Sequence, residues 1–278
     1  MKILISNDDG VHAPGLLALY QALSTIAEVV VVAPSNEQSG CASALSISTP
    51  LYTHNLDSGF IAVNGSPADC VYLALHELYR HSDFDWVITG INSGANLGQD
   101  VLFSGTFGAA LTAQLFGIPA IATSLVGGGT KNDEKQQASH YQMAANEIVK
   151  LITDTPILDA CKNLPYHVLN VNIPDVDSAD AIKGRKITAL SHSEIARPVH
   201  HVVDPRGRDA YWLSLRKRQS TLSSELSSEL STENVDAQTS SIEMTDDQAV
   251  AAGYISLSPV RLHHTPAATL DTLSALVL

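Results

Sequence analysis

Residues 2–10 read Lys2-Ile3-Leu4-Ile5-Ser6-Asn7-Asp8-Asp9-Gly10. Three consecutive aliphatic side chains leave no polar face, so this segment is expected to be a strand buried on both sides, as in a parallel sheet covered by helices. It runs directly into two adjacent carboxylates, which repel each other and have no cationic neighbour in the sequence. A bound metal ion, a shared proton or plain exposure to water could each resolve that repulsion. Within a strand the two side chains would point to opposite faces, whereas in a turn they can converge.

Outward from this stretch the same alternation repeats. Leu16, Leu17, Leu19, Tyr20 and Leu23 recur at helical spacing, and residues 28–33 form a second β-branched strand ended by Pro34. Ser66-Pro67-Ala68-Asp69 opens a helix with Ser66 as its N-cap. Further strands are expected at 86–89, 120–123, 167–171 and 254–257, helices at 105–116, 137–152 and 267–278, and a short hairpin between 43 and 63. Strands alternating with long helices predict an α/β fold, a Rossmann-like, doubly wound and mostly parallel sheet. After about residue 175 the character changes. Pro, Arg and His cluster around Arg197-Pro198 and Asp204-Pro205-Arg206-Gly207-Arg208. A polar tract over 214–241 follows, in which Leu-Ser-Ser-Glu repeats; its leucines form a narrow stripe that the serines weaken, which reads as an exposed arm or loop.

With 278 residues, 45% of them hydrophobic, the chain can bury a sizeable core. Its apolar runs are too short to span a bilayer, and the N-terminus lacks the pattern of a secretory signal. Cys41, Cys70 and Cys161 show no metal-like spacing and read as free thiols of a cytoplasmic protein. The formal net charge of −13 argues against wrapping nucleic acid or binding anionic membranes. Between Ile3 and Thr130 the single Lys or Arg is Arg80, so an anionic substrate in this half would need a bound cation or a helix N-terminus to hold it.

In an open parallel sheet, ligands bind beyond the carboxyl ends of the strands. Three loops rich in oxygen donors fall there: Asn7-Asp8-Asp9-Gly10, the 34–40 loop with Ser39, and the 90–98 loop with Asn92 and Asn96. Two carboxylates joined by Ser and Asn oxygens suit a hard cation, Mg2+ or Mn2+, and not zinc or copper. Asp-Asp-Gly is also an ordinary turn sequence. Separately, Ser104-Gly105-Thr106 leads from a loop into a helix whose first-turn N–H groups make an anion site. His200-His201 and His263-His264 read as surface residues. No Gly-x-Gly-x-x-Gly follows the first strand and no Gly-x-Ser-x-Gly elbow occurs, which disfavours dinucleotide cofactors and α/β-hydrolase chemistry. Aspartyl-phosphate phosphatases need an Asp-x-Asp pair, and here the pair is adjacent.

These loops together resemble the SurE family of metal-dependent survival-protein nucleotidases. The matching stretches include ILISNDDGVHAPG at 3–15, VVAPSNEQSG at 31–40, GSPADCVYLAL at 65–75 and VITGINSGANLGQDVLFSGTFGAA at 87–110, then LNVNIPD at 169–175, DPRGRDAYW at 204–212 and TDDQAVAAGYISLSPV at 245–260. The resemblance implies a phosphomonoesterase hydrolysing nucleoside 5′-monophosphates, extending to 3′-monophosphates and short polyphosphate, with one Mg2+ or Mn2+ per subunit. It puts the metal ligands on Asp8, Asp9, Ser39 and Asn92, the catalytic carboxylates on Asp8 and Asp9, and phosphate binding on Asn96, Ser104, Gly105 and Thr106. It further implies a catalytic core over 1–180 and, over 181–278, a β-hairpin arm and a swapped C-terminal segment serving a homodimer or homotetramer. The 214–241 tract is longer than the glycine-rich loop usual there. The rival reading is a non-catalytic regulatory protein that uses the metal only to hold a nucleotide.

Overall fold

The central sheet is built from strands whose successive residues feed two different cores. In a computed structural model, which describes residues 1–128, 134–164, 166–192, 199–213 and 244–261, the first strand, β1, spans Lys2–Ser6. Ile3 and Ile5 enter one core and Leu4 the other. The same division holds for Val31 against Val32, Ile88 against Val87 and Leu169 against Val168. All nine of these other than Leu169 and Val31 are fully inaccessible, and those two nearly so. Each such side chain contributes about 1.5–3 kcal/mol of burial.

The strands β2 (Glu28–Pro34), β3 (Thr53–Asn55), β4 (Ile61–Val63), β5 (Trp86–Ser93), β6 (Ala120–Leu125), β7 (His167–Ile173), β8 (Arg185–Ile187) and β11 (Ile255–Arg261) join β1 in a nine-stranded sheet of order β3-β4-β2-β1-β5-β6-β7-β11-β8. From β4 to β7 every pairing is parallel; β3 and β11 run antiparallel to their inner neighbours. The expected hairpin between 43 and 63 is thus the small β3–β4 pair. Helices α1 (Pro14–Leu23) and α4 (Glu134–Asp154) cover one face through Leu16, Leu19, Tyr141 and Ile148. Helices α2 (Pro67–Leu73) and α3 (Gly105–Leu115) cover the other through Val71, Phe107 and Ala110. The Ser66 start carries a full capping box: Ser66 Oγ accepts from the Asp69 amide at 3.0 Å, and the Asp69 carboxylate accepts from the Ser66 amide at 2.9 Å. Two short helices, α5 (Ile157–Lys162) and α6 (Asp246–Ala251), complete this part.

The chain divides into two units, Met1–Ser191 with Met244–Leu278, and His192–Glu243. The described part of the second is an antiparallel hairpin of β9 (Val199–Val203) and β10 (Asp209–Leu213). In its turn Asp204 accepts from the Arg206 and Arg208 amides and pairs with the Arg208 guanidinium at 2.7 Å. His201 is held by Asp209 at 2.7 Å. Arg197, the 214–241 tract, His263-His264 and the 267–278 helix lie outside the described residues.

Candidate active site

The strand order reverses at β1. The chain passes from β1 to β2 on one side, then returns to place β5 on the other. Loops leaving neighbouring strands in opposite directions open a crevice there, the usual ligand position in doubly wound sheets. Asp8 and Asp9 bend out of the end of β1, and Asn92 lies at the end of β5.

A register shift aims the Asn92 end. Thr89 pairs with Ala122, but Asn92 pairs with Ser124, so β5 carries one residue more than β6 between those points. An extra residue turns every following side chain to the opposite face. The half-buried Asn92 donates its Nδ2 to the Gly94 carbonyl at 2.8 Å, which leaves its Oδ1 as the donor atom to any bound cation.

Asp8 is almost fully buried and is held by a relay of threonines. Thr123 Oγ1 donates to the Thr89 carbonyl at 2.8 Å, Thr89 Oγ1 donates to the Thr106 carbonyl at 2.8 Å, and Thr106 Oγ1 donates to Asp8 Oδ1. All three threonines are wholly inaccessible, and the relay locks the first turn of α3 to β5 and β6. Ser104 caps α3 by accepting from the Phe107 amide at 3.0 Å. A Cβ at Gly105 would stand 2.9 Å from Asp8 Cβ and 2.8 Å from Cys41 Sγ, so only glycine lets the helix start approach the carboxylate this closely. The helix N-terminus therefore faces Asp8 itself, a more specific arrangement than an open anion site. Thr106, in the turn that the resemblance assigns to phosphate, commits its hydroxyl to Asp8.

Asp9 takes a different partner, accepting from the Ser93 amide through Oδ2 at 3.0 Å. The Ser39 loop is tied in by the Gln38 amide, which donates to the Asp8 carbonyl at 2.7 Å. Ser39 itself is exposed and donates to Glu37 Oε1 at 2.8 Å. Asn96 docks behind the site. Its backbone amide donates to Asn172 Oδ1, its carbonyl accepts from Asn170 and Asn172, and its Nδ2 donates to Ser124 Oγ, all at 2.9–3.0 Å. Asn170 and Asn172, together with Thr89 and Thr123, are the residues sequence reasoning misses. Two asparagines inside the apolar strand Leu169-Asn170-Val171-Asn172-Ile173 are the one available signal, since buried amides need partners.

The electrostatics are those of a site short of positive charge. Burial pushes the Asp8 carboxyl above its ordinary value, although the Thr106 hydroxyl and nearby backbone groups pull it down. Burial, then the Asp8 charge, push Asp9 up to about 6, and Glu37 adds to both. Burial and the Asp8 charge likewise raise the Cys41 thiol to about 11, leaving it protonated at neutral pH. Tyr141 sits against the Ser93 hydroxyl, its phenol raised mainly by burial. Among the described residues neither Asp8 nor Asp9 is in an ion pair, and the buried Asn7 Oδ1 beside them has no hydrogen-bond partner. No group of three His, Cys, Asp or Glu able to hold a metal occurs among the described residues. What is present, two uncompensated carboxylates with neutral oxygens beside them, fits a hard divalent cation. A separate cleft of about 760 Å³ lies along α1 and α4, and its Glu147 is already paired with Lys150 at 2.7 Å and Arg185 at 3.3 Å.

Comparison with known proteins bears on this geometry. A family model described as "Survival protein SurE" matches residues 3–197. A relative from Psychrobacter cryohalolentis, "5'-nucleotidase SurE", is 78% identical over the full length of both chains. One of the same name from Acinetobacter baylyi is 42% identical over 95% of each chain. The crystal structure of a SurE protein from Aquifex aeolicus covers both chains entirely, with a TM-score of 0.76 and 31% identity. The carboxylate pair at the switch point is thus set in a chain that belongs to the SurE family.

Proposed function

We propose that the chain is a divalent-metal-dependent phosphomonoesterase that releases phosphate from nucleoside 5′-monophosphates, with 3′-monophosphates and short polyphosphate as further substrates. The observation that carries this reading is the pair Asp8 and Asp9, uncompensated by any ion pair among the described residues and abutting the N-terminus of α3. The 5'-nucleotidase names of the relatives point the same way. Asp8, Asp9, Ser39 and Asn92 would hold the cation, Mg2+ or Mn2+. When bound it supplies positive charge to the phosphoryl group and acidifies a water.

The chain's own residues supply the rest. The start of α3 and the docked 92–98 loop orient the phosphate and stabilise charge gained by its oxygens. Asp8 is bound to Thr106 and buried, which makes it a fixed anchor. Asp9 keeps Oδ1 free of Ser93 and is the better proton acceptor. Water oxygen bonds to phosphorus, its proton passes to Asp9 Oδ1, and the ester P–O bond breaks. The departing nucleoside oxygen then takes a proton from solvent.

The test strips the protein with EDTA and follows phosphate release from 5′- and 3′-nucleoside monophosphates with and without Mn2+ or Mg2+. Release only with metal is expected. Folded, metal-loaded protein that binds nucleotide but releases nothing would replace the hydrolase with the regulatory reading. The free cysteines fit a cytoplasmic enzyme, and the exposed hairpin fits a homodimer or homotetramer.

A further inference from the structure

The residues that orient phosphate in this reading lie on one continuous stretch. The 92–98 loop passes into the 3₁₀ turn Gly98–Phe103, which delivers Ser104 and the start of α3. Asn170 and Asn172 hold this stretch at Asn96. At Gly98, two residues on, it is held by something else entirely. The Gly98 amide donates to Asp246 Oδ2 at 2.7 Å, across 148 positions of sequence.

Asp246 is wholly inaccessible to solvent. Its other oxygen, Oδ1, accepts from the Ser191 amide and from the Asp247 amide, each at 2.9 Å. A buried carboxylate thus gathers backbone donors from the site loop, from Ser191 and from α6. An acid needed only to start α6 would not require this, because Thr245 and Gln248 already form that helix's capping box. The fit at Gly98 is close: its φ is +56°, and a Cβ there would stand 2.4 Å from the Ser191 carbonyl oxygen. The loop is therefore clamped between Asp246 on its amide and Ser191 against its Cα.

We propose that Asp246 is a positioning residue for phosphate binding, so that the C-terminal segment 244–261 is a working part of the active site. The inference rests on the phosphomonoesterase reading. Asp246 touches neither substrate nor cation. It sets where the loop from Asn96 onward and the 3₁₀ turn leading to α3 come to rest, whereas Asn92 is fixed by its pairing within β5. Asp246→Asn keeps the size but turns an NH2 group toward one of the three amides, so one donor loses its acceptor and faces another donor.

The experiment compares wild type and D246N well below their melting temperatures. Calorimetry of Mn2+ alone, then of inorganic phosphate on Mn2+-loaded protein, is combined with hydrogen exchange on the metal-free chain. Phosphate affinity is expected to fall about tenfold, the loss of one charge-assisted hydrogen bond, with Mn2+ affinity within twofold of wild type. Exchange should rise selectively over residues 94–103, and the KM for nucleotide should rise in step with the phosphate constant. A purely structural role would lower the melting temperature and leave phosphate affinity unchanged, and that result overturns the inference. Should D246N fail to fold, Gly98→Ala displaces the same loop while leaving the carboxylate on Ser191 and α6, and it must give the same signature. A wild type that releases no phosphate with any metal refutes the parent reading; an active wild type matched by D246N and G98A refutes this inference alone.

Discussion

At the scale of single residues, the two carboxylates are distinguished by what holds them. Asp8 is fixed by a hydroxyl and a helix start, Asp9 by one amide, with an oxygen to spare. In the metal-free protein Asp9 stands at about 6, well above its ordinary value of 3.8, because burial and Asp8 oppose its charge. A folded-state value raised above the unfolded one means the folded chain binds the extra proton. The contribution of Asp9 to stability is then greatest below about pH 4 and declines as pH rises through 6, by about 3 kcal/mol once the proton is lost. Asp9→Asn removes that penalty while keeping an acceptor for Ser93. Metal-free D9N should melt above metal-free wild type at pH 7.5, and the gap should shrink to about a third by pH 4.5. It should also lose metal-dependent phosphate release by 100-fold or more, on the order expected for a general base. Melting curves in EDTA at the two pH values decide it: a D9N protein with the wild-type pH dependence sinks the assignment.

Elements carry the site, and their limits mark what a sequence can reveal. The gathering of oxygen-rich loops after β1, β2 and β5 was legible, because an apolar run ending in polar residues marks both a parallel strand and its carboxyl end. So was the Ser104 start of α3. The relay Thr123–Thr89–Thr106–Asp8 was not, since it depends on the β5–β6 register and on a bond across 98 positions. Asn170 and Asn172 hid for the same reason. The three-residue β8 and the short α5 carry too few apolar positions to leave a period. Two substitutions test the helix start as an element. Gly105→Ala puts a methyl group against Asp8 and Cys41, and should cost about 1–3 kcal/mol of stability and shift the half-saturating metal upward. Thr106→Val keeps volume but strips Asp8 of its hydroxyl donor. It should weaken Mn2+ binding about tenfold, the worth of one hydrogen bond to a charged group, with α3 still folded by circular dichroism. Wild-type metal affinity in both variants would mean that α3 does not set the position of Asp8.

For the whole molecule, the hairpin poses the remaining problem. An isolated two-stranded ribbon is marginal in water at best. Yet β9 and β10 are exposed along nearly their whole length, with Tyr211 at 64%, Trp212 at 69% and Leu213 at 76% exposure in the single chain. Three large apolar side chains in a row at the end of an exposed strand are what a protein–protein interface leaves uncovered when its partner is missing. Aromatic residues of this kind dominate the energy of such interfaces. We therefore expect wild type to sediment as a dimer or tetramer at micromolar concentration. Trp212→Asp with Leu213→Asp should shift it toward smaller species, because two charges would have to be buried without partners. Mn2+ affinity should be retained in the dissociated form, since Asp8, Asp9, Ser39, Asn92 and the groups that hold them all belong to one chain. Sedimentation velocity and calorimetry on the same samples separate the two claims. A monomeric wild type removes the interface, whereas a dissociated variant that no longer binds Mn2+ places part of the metal site on the neighbouring subunit.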